Sequence, residues 1–244
     1  MASCFLGYLA LTKICFGYAI TAMIALVLFS YLWKRSAELK KALLVYLCAL
    51  IFCLPYLYYT YSLTGRAFYW GNSGGMSLYW MATPYEGESG DWKPEESFDA
   101  NPQIAKNHGD FFKSMANLNY VQKDDELKRK AIYNITHNPA KFLKNWIANI
   151  GRLLFSYPYS YTPQRLSTFF YLIPNMFIVV LSFLCIYPAY RGRKSVPYEI
   201  SSLLSFALIT FGGSTLLSGY SRQFCILVPI SRFGSLLHSC GFSR

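Results

Sequence analysis

The chain has 244 residues, of which 54% are apolar and only 14% are charged. Because a soluble domain usually carries about 25% charged residues, this composition excludes a disordered or collagen-like chain and argues against a soluble globular domain. The excess of 23 Lys and Arg over 12 Asp and Glu gives a net charge of +11. Such a charge can indicate nucleic acid as a partner, but here the basic residues flank apolar segments, where membrane topology explains them.

Four segments reach the length of about 20 apolar residues that a membrane-spanning helix needs. They cover residues 14–33, 42–61, 169–190 and 198–218. A fifth span is predicted to begin at Phe224, although Arg232 and His238 interrupt its apolar pattern. Residues 4–12 are apolar but too short to cross alone. We interpret them as the end of a helix rather than as a signal peptide, since no basic residue precedes them. The sequence therefore predicts an all-α integral membrane protein with about four to six transmembrane helices.

Two short basic loops set the predicted orientation. They carry Lys34, Arg35, Lys40 and Lys41 in the first loop, and Arg191, Arg193 and Lys194 in the second. Short loops rich in Lys and Arg stay in the cytoplasm, and two loops separated by two spans must share a side, as these do. The predicted regions are membrane helices in 1–63, an extracytoplasmic segment in 64–168 and membrane helices in 169–244. We expect a multi-pass protein of the bacterial inner membrane.

The extracytoplasmic segment has two parts. Residues 64–120 are rich in Gly, Pro, Asn and Ser, which predicts loop with short elements. A helix is predicted from Asp124 to about His137, because acids at its start and bases further along suit the helix dipole. Asn138 followed by Pro139 then predicts an N-cap and the first residue of a second helix.

This second helix is the clearest amphipathic element of the sequence. Its apolar face is predicted to comprise Phe142, Leu143, Trp146, Ile147, Ile150, Leu153 and Leu154. Its polar face is predicted to comprise Lys141, Lys144, Asn145, Asn149 and Arg152. A helix with Trp and aliphatic residues opposite a basic face suits the membrane interface, and packing on the protein itself is the alternative.

The sequence predicts no metal site and no cofactor. The seven cysteines lie in apolar segments and show neither a CxxC pair nor a Cys/His spacing suited to zinc, so we expect them to pack as small hydrophobic side chains. His108, His137 and His238 are scattered and are expected to have no catalytic role. Asn134 begins a glycosylation sequon, a pattern that often occurs by chance.

Three stretches together resemble a known family. Residues 7–13 read GYLALTK. Residues 72–79 read NSGGMSLY and are followed by Pro84, Gly87 and Gly90-Asp91-Trp92, with Ala131-Ile132 and Asn138-Pro139 downstream. Residues 220–222 read YSR, with Pro229 beyond them. In this order, and with this spacing between spans, they resemble the polytopic glycosyltransferases of the GT-C superfamily. The similarity is to family 39, which includes dolichyl-phosphate-mannose protein mannosyltransferase and the lipid A aminoarabinose transferase.

The resemblance implies transfer of a sugar from a polyprenyl-phosphate donor to an acceptor on the extracytoplasmic side. In that family an acidic residue of the first external loop serves catalysis, and such a loop would lie upstream of Met1. We therefore expect the chain to correspond to the C-terminal part of such an enzyme and to be inactive alone. No acid is assigned a catalytic role, and Glu86, Glu88 and Asp91 are expected to be solvated.

Three basic residues are the predicted contacts to the donor phosphate or to the acceptor. Lys13, Arg66 and Arg222 each lie where a span meets an external turn. A phosphate at the outer membrane interface needs cationic partners. A charged side chain close to the hydrocarbon core is energetically costly, so its presence there suggests a function. The alternative is that these side chains merely anchor the ends of helices.

Two other kinds of protein remain possible from the sequence. One is a non-catalytic polytopic membrane protein, such as a scaffold or an assembly subunit. The other is a transporter subunit, for which Pro55, Pro174 and the pair Gly212-Gly213 could break spans. A transporter should also show ionisable residues within its spans. No carboxylate lies near these breaks in the predicted spans, so a transporter subunit is the least favoured of the three kinds of protein.

Overall fold

The computed structural model describes residues 1–163, 166–192 and 196–219, and every regular element in these ranges is an α-helix. The predicted all-α class is therefore confirmed for the described residues. The helices are α1 (Ala2–Thr12), α2 (Ile14–Lys34), α3 (Ala37–Phe52), α4 (Leu54–Thr64), α5 (Gly74–Met81), α6 (Ser97–Ala100), α7 (Pro102–Ser114), α8 (Tyr120–His137), α9 (Pro139–Phe155), α10 (Ser167–Arg191) and α11 (Tyr198–Thr215).

The four predicted spans all fall in helices, but they differ in their fitness to cross a membrane. Among the described residues, α2 alone is a single helix long and apolar enough to do so. The pair α3 and α4 makes a second candidate if it counts as one broken span. In α10 the apolar part, Thr168–Leu184, is shorter than a span. The predicted span at Phe224 lies outside the described residues.

The second predicted span is not one straight helix. α3 and α4 meet at Cys53 with a bend of 45°. Pro55 lies in the first turn of α4, where it has no N–H to donate to the carbonyl of Ile51 and its ring would clash with that carbonyl in a continuous helix. The sequence pattern of apolar residues is continuous across this point, so hydropathy alone missed the break.

The chain divides into two compact units. Unit 1 contains Met1–Gly71 and Met176–Ser214, and unit 2 contains Asn72–Asn175 with residues 215–219. In unit 1, α1 and α2 both pack on α3. Ile20, Met23 and Ala49 are buried at the centre of this packing. The hydroxyl groups of Tyr46 in α3 and Ser202 in α11 lie 2.9 Å apart, so a polar contact joins these helices.

In unit 2, the short helix α5 packs closely on α8 through a glycine. A β-carbon on Gly75 would lie 2.3 Å from the backbone oxygen of Asp124, so only glycine allows this approach. The carboxylate of Asp124 accepts a hydrogen bond of 2.6 Å from the backbone N–H of Gly75 and pairs with Lys128 at 2.6 Å. The Gly-Gly pair of the family-like stretch therefore has a packing role in this fold.

Two helices of unit 2 begin at residues that the sequence interpretation missed. α7 lies within the segment predicted to be mostly loop. It begins at Pro102 because the side chain of Asn101 accepts hydrogen bonds from the first backbone N–H groups. α8 ends at His137 as predicted but begins at Tyr120, four residues early, because Asn119 and Gln122 form a reciprocal capping box.

The amphipathic helix α9 packs by its polar side. Asn145, Asn149 and Arg152 are buried in unit 2. Leu143 and Ile147, on the apolar face, are 51% and 60% exposed. Leu153 of the apolar face is buried as well, and Phe142 packs against the core of the unit, so α9 buries parts of both faces. The alternative of α9 packing on the protein is therefore correct for these residues, whereas Leu143 and Ile147 remain exposed.

Candidate functional site

A buried carboxylate and a buried histidine meet in unit 2. Glu88 follows α5 in the loop before α6, and His108 lies in α7; they are 5% and 1% exposed. The imidazole Nε2 of His108 lies 2.9 Å from Glu88 Oε2 and 3.1 Å from Oε1. The other ring nitrogen, Nδ1, lies 2.7 Å from the hydroxyl of Tyr79 in α5. A chain Tyr79–His108–Glu88 thus runs through the interior of the unit.

Three more side chains donate hydrogen bonds to the Glu88 carboxylate. Thr83 bonds to Oε2, the amide of Asn107 bonds to Oε1 at 2.7 Å, and the hydroxyl of Tyr161 bonds to Oε1 at 3.2 Å. We call these residues, with Tyr79, Glu88 and His108, the Glu88 cluster. Buried charge is stable only when paired and hydrogen-bonded, and this carboxylate is both. The cluster joins α5, α7 and two loops.

The electrostatics of the cluster favour a charged Glu88. Burial would raise the pKa of this carboxyl, but the hydrogen bond and charge of His108, with the hydrogen bonds from Thr83 and Asn107, outweigh it and hold the pKa below its ordinary value. Burial and the neighbouring Glu88 charge raise the pKa of Tyr161 to about 12. Burial likewise raises the pKa of Tyr79, with smaller contributions from Tyr85 and Glu88. Both phenols therefore remain neutral, and that of Tyr161 donates a hydrogen bond to Glu88.

A second buried carboxylate, Asp91, holds the loop that follows α9. Its Oδ2 lies 2.9 Å from the ammonium of Lys93. Its Oδ1 accepts hydrogen bonds from the backbone N–H of Ser160, at 2.9 Å, and from the Ser160 hydroxyl. The Ser160 hydroxyl oxygen in turn accepts from the N–H of Ser89 at 2.8 Å. Asp91 therefore fixes the position of the segment that carries Tyr161.

The polar side of α9 anchors both neighbouring loops. The guanidinium of Arg152 donates to the backbone oxygens of Ser89 and Pro158 at 2.7 and 3.1 Å, and to Asn149 Oδ1 at 3.1 Å. The amide of Asn149 donates to the backbone oxygens of Thr215 and Leu217 at 2.8 and 2.7 Å. Each of these backbone groups is satisfied by a side chain of α9, which explains why its polar residues face inward.

The interior of this site is too small for a ligand. No water-sized sphere fits between Glu88, Asp91 and the side chains around them. Within the described ranges, no three His, Cys, Asp or Glu side chains lie close enough to hold a metal ion. The two carboxylates are enclosed by protein and hold neighbouring loops together.

Two expectations for these residues are wrong. Glu88 and Asp91 were expected to be solvated, and the structure buries both, because hydrogen bonds from other elements compensate their charge. Glu86 is exposed as expected. His108, which was expected to be an ordinary polar residue without a catalytic role, is buried and lies against Glu88. His137 is exposed and stacks on Tyr133, and His238 lies outside the described residues.

The predicted phosphate contacts Lys13 and Arg66 both belong to unit 1. Lys13 lies half-buried between α1 and α2, and Arg66 lies half-buried just after α4. The loop that carries Arg66 returns to the start of α2: a β-carbon on Gly71 would lie 2.5 Å from the side chain of Ile14. This loop also inserts the indole of Trp70 against Gly17. Arg222 lies outside the described residues.

Sequence spacing could not reveal the Glu88 cluster. Glu88 and His108 are 20 residues apart, and Tyr161 is a further 53 residues along the chain. One usable signal was present in α9, where Asn145, Asn149 and Arg152 recur at helical spacing. Amide groups on one face of a helix are suited to bonding backbone groups of neighbouring loops, which favours burial of that face.

The fold and site define an all-α protein whose second unit is held together by buried charged residues. Comparison of the chain with protein-family models, with curated proteins and with solved structures finds no match.

Proposed function

We propose that the chain is an integral membrane protein with unit 2 on the extracytoplasmic side and α9 at the membrane interface. The observation that carries this proposal is an exposed apolar pair on α9, a helix whose buried polar residues hold the loops of unit 2. Its polar face satisfies backbone groups of unit 2, and its apolar residues Leu143 and Ile147 are exposed. Exposed apolar area on one side of a helix is stable at the boundary between headgroups and acyl chains.

The exposed surface of unit 1 supports the same proposal. A core helix of a soluble protein is mostly buried, whereas only 33% of the apolar window of α2 is buried. Large apolar side chains are exposed along its helices, including Phe5, Phe29, Trp33, Leu44, Ile51, Tyr58 and Leu63. Contiguous exposed apolar surface of this kind marks contact with a membrane or another protein.

Spin labels at positions 143 and 147 test the position of α9. In full-length protein in lipid bilayers, Leu143→Cys and Ile147→Cys carrying nitroxides are expected to collide with oxygen, which is soluble in lipid, more than with a water-soluble nickel chelate. Lys144→Cys, an exposed position on the same helix, is the matched control and should show the opposite preference. If the labels at all three positions collided more with the nickel chelate than with oxygen, α9 would not lie at the membrane interface.

We further propose that the protein binds a polyprenyl-phosphate-linked sugar and serves glycosyl transfer on the extracytoplasmic side. Support comes from the resemblance of residues 72–92 to the external loop of GT-C glycosyltransferases. In the structure this stretch forms α5 and the loop containing Glu88 and Asp91, which hydrogen bonds from α7 and α9 hold in place. A preorganised polar surface beside a membrane suits a substrate with a lipid tail and a sugar head.

Lys13, Arg66 and Arg222 are the residues we assign to the donor phosphate. A phosphate at headgroup depth lies where the dielectric constant is below that of water, so a nearby cation stabilises it more than in solution. Arginine can engage it with two hydrogen bonds, which lysine cannot. Arg222 is placed first because Tyr220 and Gln223 could add polar contacts from the same turn.

Photocrosslinking with a polyprenyl-phosphate sugar carrying a diazirine in its lipid tail tests donor binding. Labelling of the full chain in bilayers should compete with unlabelled polyprenyl phosphate. Arg222→Ala should weaken competition about tenfold, and Arg222→Lys by less. Arg129→Ala, which removes an exposed arginine of α8, is the control and should compete like the wild type. Absence of competition by polyprenyl phosphate would favour a non-catalytic membrane protein instead.

A further inference from the structure

Exposed aromatic side chains gather at one end of unit 1. The loop after α4 returns to the start of α2, where the rings of Phe68 and Tyr18 stand edge to face with centroids 6.3 Å apart. The hydroxyl of Tyr56 in α4 donates to the backbone oxygen of Trp70 at 2.8 Å. These contacts bring the end of α4, the loop and the first turns of α2 together. Five aromatic residues at this end are exposed, and we call them the aromatic belt: Tyr18, Tyr58, Tyr59, Tyr61 and Phe68.

The tyrosines of the belt surround α4 on most of its circumference. Tyr58, Tyr59 and Tyr61 are 75%, 59% and 50% exposed. Successive residues of a helix are rotated by about 100°, so these three side chains leave α4 in three different directions. Leu57 and Thr60 are buried and mark the side of α4 that packs on the rest of unit 1. Tyrosine has an apolar ring and a polar tip, so an exposed collar of tyrosines suits a layer that is apolar on one side and polar on the other.

Exposed side chains further along α2 and α3 have a different chemistry. The large exposed residues there are aliphatic or phenylalanine: Leu26, Leu28, Phe29, Leu32, Leu44, Leu47, Ile51 and Phe52. At the far end of α2, Trp33 is 82% exposed and precedes Lys34. The order along α2 is therefore tyrosine, aliphatic surface, tryptophan and base. This order matches the layers of a bilayer, in which Tyr and Trp lie at the headgroup level on both sides of the acyl chains.

We propose that the aromatic belt binds the phospholipid headgroup layer of the outer leaflet. The C-terminal half of α4, from Tyr58 onward, then stands in that layer, and the hydrocarbon crossing of α3 and α4 ends at about Tyr58. The inference rests on the proposed membrane location of the chain and assigns the lipid contacts of unit 1. Each tyrosine ring offers its apolar body to the acyl chains and its hydroxyl to the ester and phosphate oxygens of the lipid.

Two helical paths give the same distance between the belt and the basic loop at the other end of unit 1. Tyr18 and Lys34 are 16 positions apart in α2, which corresponds to about 24 Å. Lys41 and Tyr58 are 17 positions apart through α3 and α4, which corresponds to about 25 Å before the bend is taken into account. A hydrocarbon core is about 30 Å thick, and Lys and Tyr side chains extend beyond their backbone toward the headgroups. Matching lengths are expected if the belt and the basic loop mark the two faces of one bilayer.

Nitroxide labels in the full-length protein in phospholipid bilayers test the belt. Single cysteines are introduced after the seven native cysteines have been replaced by alanine. Labels at Tyr59→Cys and Tyr61→Cys are expected at headgroup depth, where collisions with oxygen and with a water-soluble nickel chelate are comparable. Leu26→Cys and Leu47→Cys, at exposed positions of α2 and α3, are the matched controls and should collide mainly with oxygen.

A triple variant tests the hydroxyl groups themselves. Replacing Tyr58, Tyr59 and Tyr61 by Phe keeps the rings and removes the polar tips. A label at Leu63→Cys should then move toward the acyl chains, so its ratio of oxygen to chelate collisions should rise. Tyr120→Phe, which changes a 79% exposed tyrosine of unit 2, should leave that ratio unchanged. A preference for oxygen at position 26 in each variant shows that unit 1 is still inserted.

The results separate the belt from the membrane location on which it rests. If the labels at 59 and 61 preferred oxygen as strongly as the label at 26, α4 would be an ordinary part of a span and the belt would be rejected alone. An unchanged ratio at 63 in the triple variant would also reject the belt, because the hydroxyl groups would then make no headgroup contact. If the label at 26 collided mainly with the chelate, the proposed membrane location would itself be wrong.

Discussion

Replacing Glu88 by Ala is expected to destabilise unit 2 by about 3–5 kcal/mol, because several buried groups lose their hydrogen-bond acceptor together. His108 would lose its carboxylate while remaining buried, and Thr83 and Asn107 would lose their acceptor. The loss therefore falls on several groups at once.

Hydrogen exchange of individual backbone amides measures this loss of stability within unit 2. In full-length protein in detergent micelles, the amides of α5 and α7 should exchange much faster in Glu88→Ala than in the wild type. Glu86→Ala is the matched control, because it removes an exposed carboxylate two residues away. Equal protection in wild type and Glu88→Ala would mean that the cluster contributes little to the stability of the unit.

Glu88 also makes the stability of unit 2 depend on pH. Its pKa in the folded chain lies below the ordinary 4.5. A depressed acid contributes stability that is present above the unfolded pKa and is lost as the pH falls through the folded pKa. The contribution should therefore begin to fall as the pH drops below 4.5 and be lost once the pH has passed the lower pKa of the folded chain. Glu88→Gln cannot titrate, so its free energy of unfolding should fall less steeply with acid than that of the wild type.

Local sequence signals predicted helices better than they predicted burial. Asn138 and Pro139 identified the start of α9, and His137 identified the end of α8. The same Asn-Pro signal stands at Asn101 and Pro102, where the abundance of Gly, Pro, Asn and Ser led to a loop prediction instead. Capping is local chemistry, so it can be read from neighbouring residues.

Burial of charge depends on partners that are remote in sequence. Glu88 receives hydrogen bonds from residues 5, 19 and 73 positions away. No periodicity connects such positions, so hydropathy assigned the carboxylate to solvent. The direction of α9 was hidden for a related reason. An amphipathic pattern shows that two faces differ, but it does not show which side chains meet backbone groups of remote loops, as Asn145, Asn149 and Arg152 do.

Replacing Arg152 by Met is expected to cost unit 2 about 3 kcal/mol or more. Methionine fills similar space, so the change mainly removes the guanidinium. The backbone oxygens of Ser89 and Pro158 would lose a donor, whereas Asn149 Oδ1 would keep its hydrogen bond from the backbone N–H of Gly219. Each buried acceptor left without a donor costs about 1–3 kcal/mol. Because Ser89 and Pro158 flank the segments carrying Glu88 and Tyr161, the Glu88 cluster should loosen as well.

Two further variants separate hydrogen bonding from charge. Arg152→Lys keeps the charge, but a single ammonium cannot span both loop carbonyls and Asn149, so its stability should be intermediate. Arg129→Met removes an exposed arginine paired with Glu126 and should leave unit 2 nearly unchanged, since surface ion pairs contribute little. Hydrogen exchange of the amides of α7 and α9 at increasing urea concentration gives the stability of unit 2 in the three variants and the wild type. If Arg152→Met were as stable as Arg129→Met, the inward polar face of α9 would not be the contact that holds these loops.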